Sequence, residues 1–315
     1  MVRSALFAAG IAALLSGAAQ ANYVLDTLYD TTNFFDGFDF FTEPDPTNGF
    51  VEYVDLQTAA ANGLSGIARG GVFMGVDDKT YNPPNGRRSV RLTSRKTFNK
   101  GLFINDIAHM PGSICGVWPA YWMFGPNWPM SGEIDILEGV NSQTKNSVTL
   151  HTGPNCAMSN IGAMKSTYLV GTQCGHKNGC GQATADNQNY GDGFNAIGGG
   201  VYAMEWTDAR IAVWFFPRYR IPQDITNGTP NPEYWGEPVA SFSSGLTCNM
   251  QESFKDHSIV FDTTFCGSWA GSVWGNDPEC SAHGPSCKDY VAANPREFAE
   301  AYWVINSLKV YQPQY

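Results

Sequence analysis

The run SGEIDILEGV, residues 131–140, sets the strongest limit on how this chain can fold. It packs Glu133, Asp135 and Glu138 into six residues, interleaved with Ile134, Ile136 and Leu137. On a helix, at 100° per residue, Glu133 and Glu138 would point about 140° apart, so the acids would not converge. On a strand, Glu133 and Asp135 share one face and Ile134 and Ile136 the other, but strict alternation sends Glu138 to the apolar side. A β-bulge at Ile136-Leu137 adds one residue, restores the phase and returns Glu138 to the face of the other two acids. The run therefore predicts a bulged strand with three carboxylates on one face.

The two glutamates then lie roughly 13 Å apart at Cα, so their carboxyls meet only if the side chains lean together across a concave sheet. A carboxyl separation of about 5 Å suits a retaining glycosidase, in which one carboxylate attacks the anomeric carbon and the other protonates the leaving oxygen. Asp135 would be an electrostatic helper that hydrogen-bonds Glu133 and, with it, keeps Glu138 protonated. Esterification of Glu133 removes a charge, so Glu138 would then turn from acid to base. A solvated acidic face and a hard-cation site are the rival readings of three acids this close.

The neighbourhood favours a sugar. Trp118, Trp122 and Trp128 all precede Glu133 within fifteen residues, and an indole offers a flat apolar face that covers the C–H face of a pyranose. Trp is also an ordinary core residue; Trp118, in strand phase with Ala120, is assigned to the core. The whole chain carries nine Trp and 13% aromatic residues but only 15% charged ones, against a usual ~25%.

Elsewhere, short β-branched and aromatic runs at residues 49–54 (GFVEYV), 89–94 (SVRLTS), 146–151 (NSVTLH) and 211–216 (IAVWFF) are broken by Gly, Pro and Asn clusters. That punctuation describes strands and loops, and predicts a sandwich or jelly roll of antiparallel sheet. One short helix is expected at residues 294–301, behind Asn294-Pro295. Residues 156–200, rich in Gly, Asn and Gln, read as long disulfide-tied loops.

Residues 1–21 have Arg3, an apolar run from Ala5 to Leu15 and a small-residue end at Ala19-Gln20-Ala21. They predict a cleaved secretory signal, and leave residues 22–315 as a single domain exported to an extracellular, oxidising compartment. Eight cysteines between Cys115 and Cys287 then predict four disulfides, with Cys280 and Cys287 able to close a local loop. Zinc on Cys174, His176 and Cys180 is the weaker alternative, because no matching ligand pair follows. The formal charge of −10 becomes −11 once Arg3 is removed. Such acidity argues against nucleic acid and anionic membranes and fits a neutral substrate. Asn227-Gly228-Thr229 is a possible N-glycan acceptor, with Pro230 following it.

The segments GEIDILE (132–138) and WPAYW (118–122) resemble family 16 glycoside hydrolases, in the laminarinase-like branch with the bulged E-x-D-x-x-E form. Residues 44–54 (PDPTNGFVEYV), 86–91 (GRRSVR), 150–153 (LHTG), 213–218 (VWFFPR) and 265–271 (FCGSWAG) resemble, in the same order, fungal secreted endo-β-1,3(4)-glucanases. The resemblance implies a concanavalin A-like β-jelly roll of two antiparallel sheets, with the sugar in a concave cleft. It also implies retaining endo-hydrolysis of β-1,3-glucan (laminarin) and mixed-linkage β-1,3/1,4-glucan. A monomer without cofactor is expected, and no ligand set in the sequence demands the structural Ca²⁺ that some related folds carry.

Matched to the motif, Glu133 is the expected nucleophile, Asp135 the helper and Glu138 the acid/base. Trp122, Trp128 and Trp269 match sugar platforms, Arg87 a hydroxyl contact, and His151 the histidine near the acid/base. Arg88 stands where relatives more often carry a small or neutral residue. A transglycosylase on the same scaffold and a non-catalytic glucan-binding lectin remain the alternatives.

Overall fold

In a computed structural model of the chain, residues 22–158, 167–244 and 247–314 are described. The expected signal, residues 1–21, lies outside them. Two sheets of eight strands, each antiparallel in its pairings, dominate the described residues, beside a two-stranded parallel pair of Val51–Tyr53 and Arg87–Ser89.

The first sheet runs in the order Thr167–Leu169, Cys180–Thr184, Ser147–His151, Glu133–Glu138, Val117–Phe124, Ser258–Phe265, Arg91–Ser94 and Phe38–Phe40. The second runs from Ala240–Ser243 through Arg210–Pro217, Gly200–Trp206, Gly101–His109, Trp303–Gln314 and Gly71–Met74 to Ser65–Ala68. Asn22–Asp30 pairs with Trp303–Gln314. All four predicted strand runs coincide with strands.

Alternation explains why the sheets stack. In Val117–Phe124, Val117, Tyr121 and Met123 are buried while Trp118, Trp122 and Phe124 are only partly covered. Tyr121 and Met123 join Ile134, Leu150, Ile259 and Phe261 of the same sheet and Phe103, Tyr202, Met204, Trp206, Val213 and Leu308 of the other in one core, while Val117 packs in a second cluster with Phe265, Trp274 and Val291. Each such side chain contributes about 1.5–3 kcal/mol by leaving water. The outer face of the second sheet is not left bare, since Ile221, Ile225 and Trp235 fold back over Trp214, Val201 and Ala203.

Cysteines tie the ends of this sandwich through bridges Cys115–Cys280, Cys156–Cys248, Cys174–Cys180 and Cys266–Cys287. The number agrees with expectation, but Cys280 and Cys287 do not pair with each other. They sit on separate short helices, Pro278–Ser281 and Cys287–Ala293, and each is bonded to a different part of the first sheet's end. Cys174 and Cys180 are consumed by their mutual bridge and His176 is exposed, so the zinc reading falls.

Two further expectations are corrected. The helix precedes Asn294-Pro295 instead of following it: Cys287–Ala293 is helical, capped where Ser286 accepts from the Asp289 amide, and only a 3-10 turn, Pro295–Phe298, comes after. A residue before proline resists the helical conformation, so Asn294 ends the helix. The region of expected loops holds the strands Thr167–Leu169 and Cys180–Thr184 and the helix Gly191–Ala196. Strands at a sheet's end draw on backbone pairing as much as on apolar side chains, so composition hid them.

Candidate active site

The bulge is present where the carboxylate spacing requires it. Along Val117–Phe124, Glu133 pairs with Phe124, Asp135 with Trp122, Leu137 with Tyr121 and Glu138 with Ala120, leaving Ile136 as the extra residue. Ile136 and Leu137 are both buried in the core, while Glu133 and Glu138 are partly covered on the opposite face. Slipping the register by one would pull both aliphatic side chains out of the core, which is what holds it.

A bulge leaves backbone groups without ladder partners. Asn146 supplies them: its Oδ1 accepts from the Glu138 amide at 2.9 Å and its Nδ2 donates to the Ile136 carbonyl at 2.8 Å. Asn146 is itself fully buried. The approach to the strand is fixed by Gly132 at φ +80°, where a Cβ would meet the Ser253 carbonyl oxygen at 2.4 Å, and by His257, whose Nε2–H donates to the Ser131 carbonyl at 2.7 Å.

On the carboxylate face, Trp118 Nε1 donates to Glu138 Oε1 at 2.7 Å. Trp128, 58% exposed, donates through Nε1 to Glu133 Oε2. Trp269 meets Trp118 edge to face at 5.5 Å. Trp122 stacks with Phe124 at 5.2 Å and donates through Nε1 to Asp262 Oδ1 at 2.8 Å. His151, in register with Glu133, brings Nε2 to 3.5 Å from Asp135 Oδ2.

Electrostatics divide the acids by role. Burial, then the neighbouring charges of Glu133 and Glu138 and a hydrogen bond with Glu133, hold the Asp135 carboxyl well above the usual carboxylate range. Burial, opposed by the Trp118 hydrogen bond and reinforced by the charges of Glu133 and Asp262, pushes Glu138 up to about 8.

Among the described residues, Glu133, Asp135 and His151 bring three potential metal-binding atoms within 4.8 Å of one another. A cation there would compete with the proton that Asp135 shares with Glu133, and the acid–carboxylate pair already accounts for the closeness of these groups. What the face offers chemically is a pair of glutamates on one sheet surface, Glu138 with its pKa pushed up to about 8, walled by indoles.

Residues 38–311 match the profile of the XgeA-like catalytic domain of glycoside hydrolase family GH16. The chain belongs to glycoside hydrolase family 16. It is 42% identical over 307 residues to an endo-1,3(4)-beta-glucanase of Arthroderma benhamiae, covering 95% of this chain and 66% of that protein. It is 47% identical over 300 residues to a probable endo-1,3(4)-beta-glucanase of Aspergillus clavatus, covering 92% and 46%. This family 16 chain therefore spans between about half and two thirds of the length of those curated relatives.

Among solved structures, a GH16 elongating beta-1,3-glucosyltransferase is 44% identical, with a TM-score of 0.87 over 92% of this chain and all of that one. Laminarinase 16A of Phanerochaete chrysosporium, with 6-O-glucosyl-laminaritriose in its donor and acceptor sites, is 41% identical with a TM-score of 0.86, covering 93% and 100%. These likenesses bear out the family and the jelly roll of two antiparallel sheets.

Seven of the eight expected site residues gather on the carboxylate face or beside it. Arg87 does not. It is fully buried, with its guanidinium donating to the carbonyls of Val291, Asp77 (2.7 Å) and Thr80 (3.3 Å), and lying 4.8 Å from the Phe298 ring. The cation caps the C-terminal carbonyls of the helix Cys287–Ala293, where the helix dipole favours positive charge. A sugar hydroxyl has no access to it. Arg88 instead pairs with Glu52 across the parallel pair Val51–Tyr53 and Arg87–Ser89.

Sequence reasoning missed three residues. Trp118 was assigned to the core by its phase with Ala120, yet that phase is the carboxylate face, since Ala120 lies opposite Glu138. The clue was present: the acid's own strand register implies which phase of the partner faces it. Asn146 and Asp262 carried no local signal, because Asp262 reaches the site only through sheet pairing and Asn146 from the connection that follows the acid strand.

Proposed function

We propose that this family 16 domain is a secreted, retaining endo-glucanase that cleaves β-1,3-glucan and mixed-linkage β-1,3/1,4-glucan through a glycosyl-enzyme ester. The observation that carries the reading is the bulge at Ile136, which brings Glu133 and Glu138 to one face, with burial and neighbouring charge pushing Glu138 up to about 8. The names of the curated relatives and the oligosaccharide-bound laminarinase support the substrate class.

In the first step, a Glu133 oxygen attacks the anomeric carbon while Glu138 gives its proton to the departing glycosidic oxygen. Trp128 and neutral Asp135 donate hydrogen bonds that hold the attacking carboxylate in place. The ester carries no charge, so the repulsion that raised Glu138 drops and its proton, once lost, is not readily regained. In the second step Glu138 takes a proton from water, whose oxygen attacks the same carbon and releases Glu133. Trp122, Trp128 and Trp269 are the proposed sugar platforms, and His151 steadies Asp135 from the next strand.

Export through residues 1–21, action as a monomer, and a glycan on Asn227, which lies exposed just after the short helix Gln223–Thr226, belong to the same proposal. No helix of the described residues is long and apolar enough to cross a membrane.

The deciding experiment follows the anomer of the first product by NMR during laminarin digestion. A β product is expected, and Glu133→Ala should lose hydrolysis while keeping fold and glucan binding. An α product would sink the retaining mechanism. Binding without release of reducing ends by the unmodified protein would make it a lectin.

Likeness to an elongating glucosyltransferase supports a second reading, transfer of the ester's sugar to a glucan hydroxyl instead of water. Product sizes at rising acceptor concentration separate the two: longer glucans mean transfer.

A further inference from the structure

A fourth carboxylate lies under the site. Asp262, on the strand Ser258–Phe265, is opposite Ala120, and Ala120 is opposite Glu138 on its other side. Asp262, Ala120 and Glu138 thus form one row across three strands, two acids flanking the smallest side chain in the row on the same face. Strands in a sheet are about 4.8 Å apart, so the two backbones are separated by about 10 Å, and the side chains between them see only a methyl group.

Every polar contact of the Asp262 carboxyl has a direction. Oδ1 accepts from Trp122 Nε1 at 2.8 Å and Oδ2 accepts from the Tyr53 hydroxyl at 2.9 Å. Arg91, its register partner on the far side, holds its guanidinium 5.0 Å from the Trp122 ring and 4.6 Å from the Phe41 ring. Trp122 is therefore held at its indole N–H by an acid, with the Arg91 guanidinium 5.0 Å from its ring and Phe124 stacked at 5.2 Å. Asp262 is 7% exposed, so this is a built arrangement rather than a chance surface pair.

On the strength of that geometry, and resting on the glucanase reading above, we propose that Asp262 is a positioning residue that couples the Trp122 sugar platform to the charge state of Glu138. One carboxylate performs both tasks: its oxygens orient the indole, and its charge disfavours the loss of the proton from Glu138. The charge also outlasts the first chemical step. Glu133 loses its charge on forming the ester, whereas Asp262 keeps its own and leaves Glu138 a stronger base for the second step.

The surroundings of Asp262 agree with that role. The charged and titratable groups facing it are Arg91, Tyr53, Asp45, and across Ala120 the set Glu133, Asp135 and Glu138. Burial raises its pKa to about 6, against the lowering effects of Arg91, Trp122 and Tyr53. Between about 6 and 8, then, Asp262 is ionised while Glu138 still holds its proton.

The test uses laminarin hydrolysis, followed by reducing ends from pH 4 to 10. Asp262→Asn keeps shape and an acceptor for Trp122 but removes the charge. The basic limb of kcat/KM should move down by about half a pH unit or more, with KM near that of the unmodified enzyme. Trp122→Phe removes the indole donor and part of the ring face but leaves the Asp262 charge; KM should rise several-fold while the basic limb stays high. A merely structural Asp262 would lower the melting temperature and move neither the limb nor KM.

An unmoved limb in folded Asp262→Asn overturns the proposal. So does an unchanged KM in Trp122→Phe, which decides the matter should Asp262→Asn not fold. Absence of laminarin cleavage by the unmodified protein is a different failure: it would remove the glucanase reading itself.

Discussion

Asn146 spans the bulge, taking the Glu138 amide at 2.9 Å and giving to the Ile136 carbonyl at 2.8 Å. One buried carboxamide thus replaces the two ladder contacts that the extra residue breaks. Without it the position of Glu138 would rest on side-chain packing alone.

Asn146→Ala leaves a buried amide and a buried carbonyl unpaired, so a loss of about 2–4 kcal/mol of stability is expected from urea unfolding. Among molecules that remain folded, kcat on laminarin should fall by at least tenfold, because about 1 Å of misplacement is costly to proton transfer. Full activity in the folded fraction would show that the bulge holds itself.

Trp118 donates to Glu138 Oε1, an interaction that favours the ionised form and so lowers its pKa. Trp118→Phe removes the donor. The basic limb of the pH–rate profile should therefore rise above that of the unmodified enzyme, the opposite direction from Asp262→Asn. A limb that falls would mean that Glu138 is not the group being titrated.

Burial and the charge of Glu133 hold the Asp135 carboxyl well above the usual carboxylate range, which favours the acid that hydrogen-bonds Glu133. An amide can also donate, so Asp135→Asn should retain a substantial part of the kcat that Asp135→Ala loses, by about tenfold or more between the two. If the two variants were equally impaired, the negative charge of Asp135, not its proton, would be what matters.

Arg87 lies in the interior, where it satisfies four backbone carbonyls, those of Asp77, Thr80, Val291 and Ala292. Arg87→Met strands those acceptors and should cost about 3–5 kcal/mol. KM for laminarin, measured on folded protein, should not change. A raised KM with unchanged stability would restore the hydroxyl contact.

His257 is buried and its pKa is pushed down to about 4, chiefly by desolvation. The unfolded chain binds its proton near 6.5, so between these values the unfolded state carries more protons and stability falls as pH falls. The loss is about 3 kcal/mol on going from pH 7 to below 4. His257→Gln can still donate to the Ser131 carbonyl, and its stability should drop less over the same range. Equal slopes in denaturant titrations at pH 7 and 4 would assign the acid sensitivity elsewhere.

The raised acids act with the opposite sign. Glu138, whose folded pKa of about 8 lies above the unfolded value, costs stability increasingly as pH rises through that range. Glu138→Gln should therefore stabilise the fold more at pH 8 than at pH 5.

Residue order alone determined the strand alternation, the bulge and the identity of the three acids, because each depends on the phase of neighbouring side chains along a single strand. It also determined the class of fold, through short runs whose apolar face can be buried only against another sheet.

Only the tertiary structure decided what surrounds those acids. Whether Trp118 faces core or acid, which cysteine meets which, and that Arg87 caps a helix some 200 residues later in the chain depend on pairings between distant strands. Asp262 reaches Glu138 the same way, across the sheet, whereas Asn146 reaches it from the connection that follows the acid strand. The charges that tune the site are long-range partners, and a strand's own sequence fixes which face a side chain takes but not which strand lies beside it.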